Sequence, residues 1–385
     1  MRDENEQFGA IAPKSDWLLE PGGTFLNHGS YGATPRSVLA EQDRWRARME
    51  RRPTYFMSVE LPQALRDAAG RLAAFVGSKA DDLVFVENAT AGCNAVLNSM
   101  PFAAGDEILV TDHGYAAVRN ALEHAAKKSG AKVVEAKVPF PIDSAKQIID
   151  AVGARLGART RLVILDHITS PTAIVFPVRE LTALCRAAGA RVLIDGAHAP
   201  GMLALDVPSI GADWYVGNCH KWLMAPKGAG FLWTDPQHQR QMHPPVISHG
   251  YNKGYTDEFD WIGTRDPSAW LSVPAAIEVH GQLGGAALRE RNVALAQRAA
   301  ALISERWRSE RGTPDALTGS MAAIRLPVSG DATIGRAVEL RKWLFEEHRI
   351  EIAMTAFAGA LWARISAQAY NELADYERLA AVFAS

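Results

Sequence analysis

Cysteine is scarce in this chain: three in 385 residues, Cys93, Cys185 and Cys219, far apart and with no CxxC pair. That spacing offers no disulfide framework, and it makes reduced thiols in the cytoplasm the expectation. Long apolar runs are also missing; none approaches the roughly 20 residues a membrane span needs. The N-terminal MRDENEQFGAIAPKSDW is polar and acidic without an apolar core, which is not the pattern of a secretory signal. Neither sign of charge dominates. With 41 Lys and Arg against 43 Asp and Glu, the formal net charge is −2, and composition gives no reason to expect nucleic acid or an anionic membrane as partner. No internal repeat or low-complexity tract is visible. The remainder is ordinary for a soluble globular protein, 48% hydrophobic and 22% charged, with length for one large domain and a smaller one.

Strand-like and helix-like patterns alternate along most of the chain. Helical stretches run from Ser37 to Arg52, Gln63 to Val76, Ala91 to Ser99, Ala116 to Ser129, Ser144 to Leu156 and Val178 to Ala188. Between them lie apolar runs at Leu83–Val86, Ile108–Val110, Lys132–Val134, Leu162–Leu165, Val192–Ile194 and Gly230–Trp233. Near-continuous apolar strands separated by helices predict an α/β fold built on a buried, mainly parallel sheet. Ligands in such sheets bind beyond the carboxyl ends of the strands. Glu87 to Thr90, Thr111 to Tyr115, Asp166 to Ser170 and Asp195 to His198 are therefore the expected site lining. Past Arg265-Asp266-Pro267 the character changes to paired strands and helices, after a long helical stretch from about Val273 to Arg308. The division expected is an arm at 1–20, a large domain at 21–265 and a small α+β domain at 266–385, bridged by that long helix.

The strongest chemical signal is RVLIDGAHAPGMLALDVPSIGADWYVGNCHKWLMAPKGAGFLW. Lys221 ends an apolar strand and precedes Pro226, Gly228 and Gly230, a poor place for a solvated charge. Lysine forms Schiff bases once desolvation or neighbours lower its pKa. Asp195, directly after three apolar residues, is expensive to bury without a partner, and a pyridinium nitrogen is such a partner. The pair suggests a pyridoxal 5'-phosphate site; a helix N-cap is the plainer role for Asp195. Asn88-Ala89-Thr90 follows a strand and opens a helix, where free N–H groups and the Thr90 hydroxyl can bind phosphate; the plainer reading is a Thr cap. His113 or Tyr115 can stack on a cofactor ring, or simply pack. His198 can reach the phenolate oxygen or the ring face, and Asn218 and His220 can hydrogen-bond the phosphate. Cys219 alternates to the opposite side. No second ligand pair stands at metal-binding spacing from Cys219 and His220, so no metal is expected.

Ordered segments over nearly the whole length carry a family resemblance. They are Phe25-Leu26-Asn27-His28-Gly29-Ser30-Tyr31-Gly32, Asn88-Ala89-Thr90, Asp166-His167-Ile168-Thr169-Ser170-Pro171-Thr172, Asp195-Gly196-Ala197-His198, His220-Lys221-Trp222, Gly263-Thr264-Arg265-Asp266, Arg364-Ile365-Ser366 and Tyr370-Asn371. On these the chain resembles class V of the fold-type-I pyridoxal-phosphate enzymes, and most closely its isopenicillin N epimerase-like branch. The resemblance implies a seven-stranded sheet in the large domain. It implies that Lys221 carries the Schiff base and acts as acid and base at Cα, that Asp195 pairs with the pyridinium, and that His198 lies near the phenolate oxygen. It also gives Thr90, Asn218 and His220 to the phosphate, and Arg364 to the substrate α-carboxylate as a bidentate clamp. Thr264 would reach the phosphate of a partner subunit, which implies a homodimer with shared active sites. Ser170 departs from cysteine desulfurases, which carry Asn there.

The substrate implied is an amino acid or small peptide, and the outcome at Cα is set by the protein around the ring. Desulfurases need a nucleophilic Cys shortly before the carboxylate-binding Arg, and His348 to Trp362 contains none. Epimerisation needs proton exchange on both faces of Cα; Lys221 serves one, and Tyr31, His28 or Tyr115 can serve the other. The polar turn Asn27-His28-Gly29-Ser30-Tyr31 motivates that reading. An epimerase or racemase is the leading expectation, with an α-aminotransferase and a C–S β-lyase as alternatives. A non-catalytic regulator comes last, because the N-terminal stretch shows no basic helix-turn-helix pattern. Trp261, Trp270 and Trp362 suggest an aromatic-lined site or a subunit interface.

Overall fold

The computed structural model describes residues 8–383. Seven strands form the main sheet: β1 (Leu83–Val86), β2 (Glu107–Thr111), β3 (Lys132–Ala136), β4 (Thr160–Asp166), β5 (Arg191–Gly196), β6 (Trp214–Asn218) and β7 (Gly230–Thr234). Their order is β1-β7-β6-β5-β4-β2-β3. All pair in parallel except β7, which runs antiparallel to both β1 and β6. Six of the strands contain the apolar runs read from sequence. The seventh, β6, escapes that pattern because Gly217 and Asn218 break its apolar character, and it delivers the chain to Lys221.

The alternation of side chains along each strand sorts them between two dry layers. Val163, Leu165, Val192 and Ile194 pack under the helices Leu61–Phe75, Ala145–Gly153 and Val178–Ala187. Ile164 and Leu193 face the other way, under the helices Ala89–Ser99 and Ala116–Ser129. The same period-2 rule places Asp166 and Asp195, partners in register at the ends of β4 and β5, on this second face.

The C-terminal part is a three-stranded antiparallel sheet of β8 (Met321–Arg325), β9 (Ala353–Phe357) and β10 (Ala360–Ser366), ordered β9-β10-β8. The helices Ala286–Trp307, Ile334–His348 and Leu373–Val382 cover it around a core of its own, with Leu295, Ile303, Ile324, Leu344 and Ile365. The N-terminal segment returns to this core: Thr24–Phe25 pairs in parallel with Ile350–Glu351, and Phe8 and Leu26 are buried there. The single long helix expected from Val273 to Arg308 is instead two, Val273–Gln282 and Ala286–Trp307. Gly284 and Gly285 separate them at φ +114° and +56°, a backbone that no continuing α-helix adopts. Among the described residues no helix is long and apolar enough to cross a membrane.

Leu193 is fully buried between the sheet and the helix Ala89–Ser99. Leu193→Ala is expected to cost about 2–5 kcal/mol, read as a lower midpoint in chemical denaturation.

Candidate active site

A cavity of about 420 Å³ opens at the carboxyl ends of β1, β4, β5 and β6. Lys221, Asp195, His198, Asn88, Ala89, Thr90, Tyr115, Ser170, Asn218, His220 and Tyr31 all line it. Sequence positions spread over 190 residues meet here because parallel strands end on one edge.

Lys221 is 8% exposed, and its Nζ lies 3.2 Å from His198 Nε2. Burial, reinforced by the Arg364 charge, lowers its pKa to about 8 against the pull of Asp195 and Asp166. A buried amine that gives up its proton near neutral pH can reach the free-base state that attacks a carbonyl. Asp195 is buried, and Ala197 N–H donates to its Oδ1 at 3.0 Å. It does not cap a helix, since only a turn follows β5. Burial raises its pKa, with Lys221 opposing. Asp166, expected at the lining but given no role, stands beside it; burial and then the Asp195 charge push its pKa well up. Its signal in the sequence was the same as that of Asp195, an acid directly after an apolar run.

The helix Ala89–Ser99 begins at the cavity, and its cap is Asn88, whose side chain accepts from Ala91 N–H at 2.9 Å. Thr90 is thus not the cap, and it lines the cavity. Asn218 Oδ1 accepts from Ala89 N–H at 2.8 Å and ties β6 to this helix start. His220, expected to hydrogen-bond the phosphate, donates Nδ1–H to Ala229 O at 2.9 Å and stays neutral, burial drawing its pKa down to about 4, so it has no second hydrogen to offer a phosphate.

Several expectations need correction. His113 is buried behind the cavity, with Nδ1 on Thr172 Oγ1 at 2.7 Å and Nε2 on Val138 O at 3.0 Å; Tyr115 is the one of the two that lines the site. His28 does not reach the substrate space either. Its Nδ1 meets Tyr370 Oη at 2.7 Å and its Nε2 the Lys221 carbonyl at 3.1 Å, and burial lowers its pKa to about 3. The reason is Gly32, at φ +72°, where a Cβ would sit 2.1 Å from the His220 carbonyl. Only glycine lets the 27–32 turn press against the lysine backbone. The tryptophans do not line the cavity: Trp270 stacks on Phe85 and donates to Gly228 O, Trp362 packs on Phe140 at 4.4 Å, and Trp261 lies on a separate surface groove. Thr264 is exposed and outside this cavity.

Arg364, on β10, is buried behind Ser30 and Ser170, which line the cavity. Its Nη1 donates to Ser170 O at 2.5 Å, and its Nη2 to Ser30 Oγ at 2.9 Å and Asn27 Oδ1 at 3.3 Å, while Nε is buried without a partner. Asn27 thus holds the arginine rather than the cavity. Among the described residues no carboxylate pairs with this guanidinium, whose pKa burial lowers to about 10. A buried cation held only by neutral acceptors is a ready receptor for a carboxylate.

The donor set fits pyridoxal phosphate. A desolvated lysine, a buried carboxylate at the end of the neighbouring strand and a helix start carrying a threonine meet at one cavity, with a guanidinium that no carboxylate pairs held behind Ser30 and Ser170. Fold and site define a fold-type-I enzyme that depends on pyridoxal phosphate. The aminotransferase class-V model matches residues 33–379, and the chain belongs to that family. It is 36% identical to an isopenicillin N epimerase from Amycolatopsis lactamdurans, over 94% of each chain. It is 33% identical to a probable L-cysteine desulfhydrase of the chloroplast from Arabidopsis thaliana, over 94% of this chain and 82% of that one. Among solved structures, the cystine C–S lyase C-DES in complex with its product cysteine persulfide superposes with a TM-score of 0.80 at 22% identity, covering 95% of this chain and 98% of that one.

His28, His167 and His220 take up protons in the folded protein only at about 3, 4 and 4, against about 6.5 for a free imidazole. The unfolded chain binds more protons between those limits, so stability is complete above about pH 6.5 and declines as pH falls toward 4. Scanning fluorimetry from pH 7 to pH 4 should show a steadily decreasing melting temperature; a flat profile would contradict the buried, neutral state of these rings.

Proposed function

We propose that this enzyme takes the α-proton from a small L-amino acid and completes a β-elimination across a C–S bond, as a cysteine desulfhydrase-type lyase. Pyridoxal phosphate, held by Lys221, Asp195, Thr90 and Asn218, supplies the electron sink for the pair left on Cα. Arg364 binds the substrate α-carboxylate in the bidentate manner its planar fork favours. Lys221 Nζ accepts the Cα proton; the C–S bond then breaks, the sulfur leaving as a thiol with a proton from the same amine. This route needs one acid/base group.

The observation that carries the reading is the commitment of His28. Of the groups considered for the second face of Cα, the histidine is spent on Tyr370 and the Lys221 carbonyl. The thiols support a lyase over a persulfide-forming desulfurase: Cys93, Cys185 and Cys219 are all buried, and burial raises each pKa. In addition, β9 and β10 are joined by the two-residue turn Ala358-Gly359, with no loop to carry a nucleophile. Epimerisation is the second reading, favoured by Tyr31 and Tyr115, which line the same cavity as Lys221. In either case we place Thr264 at the phosphate of a second copy, consistent with its exposure, in a cytoplasmic homodimer.

Incubation of the holoenzyme with L-cysteine in heavy water tests the assignment. Pyruvate, ammonia and sulfide, formed with uptake of one water, are the expected products. Deuterium at Cα with accumulation of the D-isomer and no pyruvate would overturn the lyase in favour of the epimerase, and a new amino acid formed only with an added keto acid would point to transamination. Lys221→Ala should abolish turnover by at least about 10³-fold and remove the Schiff-base absorption.

A further inference from the structure

Trp222 follows the lysine, and neither the cofactor set nor the carboxylate clamp uses it. Its indole is buried in a small apolar cluster with Ile168, Ala173, Met202 and Met321, and the His28 ring lies 5.1 Å away. That packing fixes the ring and aims Nε1 at His198 Nδ1, 3.3 Å distant. On the far side of the same imidazole, Nε2 lies 3.2 Å from Lys221 Nζ. The three side chains form a buried line from indole to imidazole to amine.

The line has a direction. An indole N–H only donates, so His198 Nδ1 must accept and carries no hydrogen. The proton of the neutral imidazole is then on Nε2, facing the lysine. An ammonium has three donors and no lone pair, so it would set hydrogen against hydrogen across this contact. A neutral amine accepts the bond.

We propose that Trp222 is a positioning residue that sets the charge state of Lys221: by fixing the Nε2–H tautomer of His198, it selects the neutral amine. Other groups face the pair. Asp195 at the end of β5 and Asp166 at the end of β4 favour the ammonium. Arg364 from β10 disfavours it, and Arg364 and His220 with Lys221 itself also disfavour a charged His198; Lys227 acts on neighbouring His220. These charges act without orientation. The indole bond determines which nitrogen of His198 is presented, and so removes the arrangement in which His198 would accept from an ammonium.

Two measurements test this, the second of which rests on Lys221 as the Schiff-base lysine. In the apo-protein with nitrogen-15 histidine, the side-chain nitrogen spectrum of His198 should show Nε2 protonated and Nδ1 not, and Trp222→Phe should convert it to a mixture of tautomers. The rate at which apo-protein captures pyridoxal phosphate, followed by absorbance against pH, reports the Lys221 amine. Trp222→Phe should raise the apparent pKa by about one unit, slowing capture about tenfold on the acidic side of the profile. In a His198→Asn background the same substitution should leave that pKa unmoved. A wild-type His198 protonated on Nδ1 overturns the proposal even if Trp222→Phe fails to fold. A folded Trp222→Phe with unchanged tautomer and unchanged pKa overturns it too, as does an equal shift in the His198→Asn background, which would make the effect one of packing alone. If Lys221→Ala still forms the Schiff base, the functional reading falls while the nitrogen spectrum continues to decide this one.

Discussion

The site depends on one desolvated lysine. An ammonium out of water loses several kcal/mol of hydration, and the protein surrounds Lys221 with groups that leave its proton weakly held rather than neutralising the charge. Burial, with the Arg364 guanidinium acting in the same direction, outweighs the two carboxyls Asp195 and Asp166 and brings the pKa to about 8. The amine is thereby poised near physiological pH, where it can lose and regain a proton with little change in free energy. Asp195 and Asp166 reach it because β4 and β5 pair in register and end together. Arg364 reaches it because the C-terminal sheet leans over the same edge.

That sheet is more than a cover. Arg364 bonds Ser170 from the loop after β4 and Ser30 and Asn27 from the N-terminal turn, so one side chain joins three distant parts of the chain. None of these partners is charged, which leaves the guanidinium oriented but electrostatically unsatisfied. The N-terminal segment is anchored independently, through its strand pair with Ile350–Glu351 and the burial of Leu26. A substrate carboxylate at Arg364 would consequently be sensed by the turn carrying Ser30 and Tyr31 as well as by the floor of the sheet.

The relatives divide between an epimerase and desulfhydrases at nearly equal identity, which agrees with the chemistry. Both reactions begin with the same proton leaving Cα, and on the proposed reading both would draw on the same lysine, carboxylate clamp and cofactor cradle. They separate at the groups around the far face of Cα and the leaving group at Cβ. In this chain His28 is withdrawn, and two tyrosines, Tyr31 and Tyr115, line the cavity.

The sheet, most of its strands and the lysine–aspartate pair were legible in the sequence because each obeys a local rule. A buried parallel strand reads as an apolar run, and a charge placed directly after one has few explanations. The broken helix at Gly284-Gly285 could have been found by the same means, since two adjacent glycines end a helix wherever they fall. What no local pattern carried was the use of each polar side chain. His28, His113 and Asn27 sit in motifs as suggestive as that of His198, yet one is held under the lysine carbonyl, one is sealed behind the cavity and one supports an arginine. Asp166 and Trp222 gave the same kind of signal as their neighbours, and only contact shows what they face. By itself the sequence determined which residues would end at one sheet edge, because periodicity and burial are properties of short segments. Only the tertiary structure decided which of them turn into the cavity, because hydrogen-bond partners from other elements compete for each ring nitrogen, and packing chooses the winner.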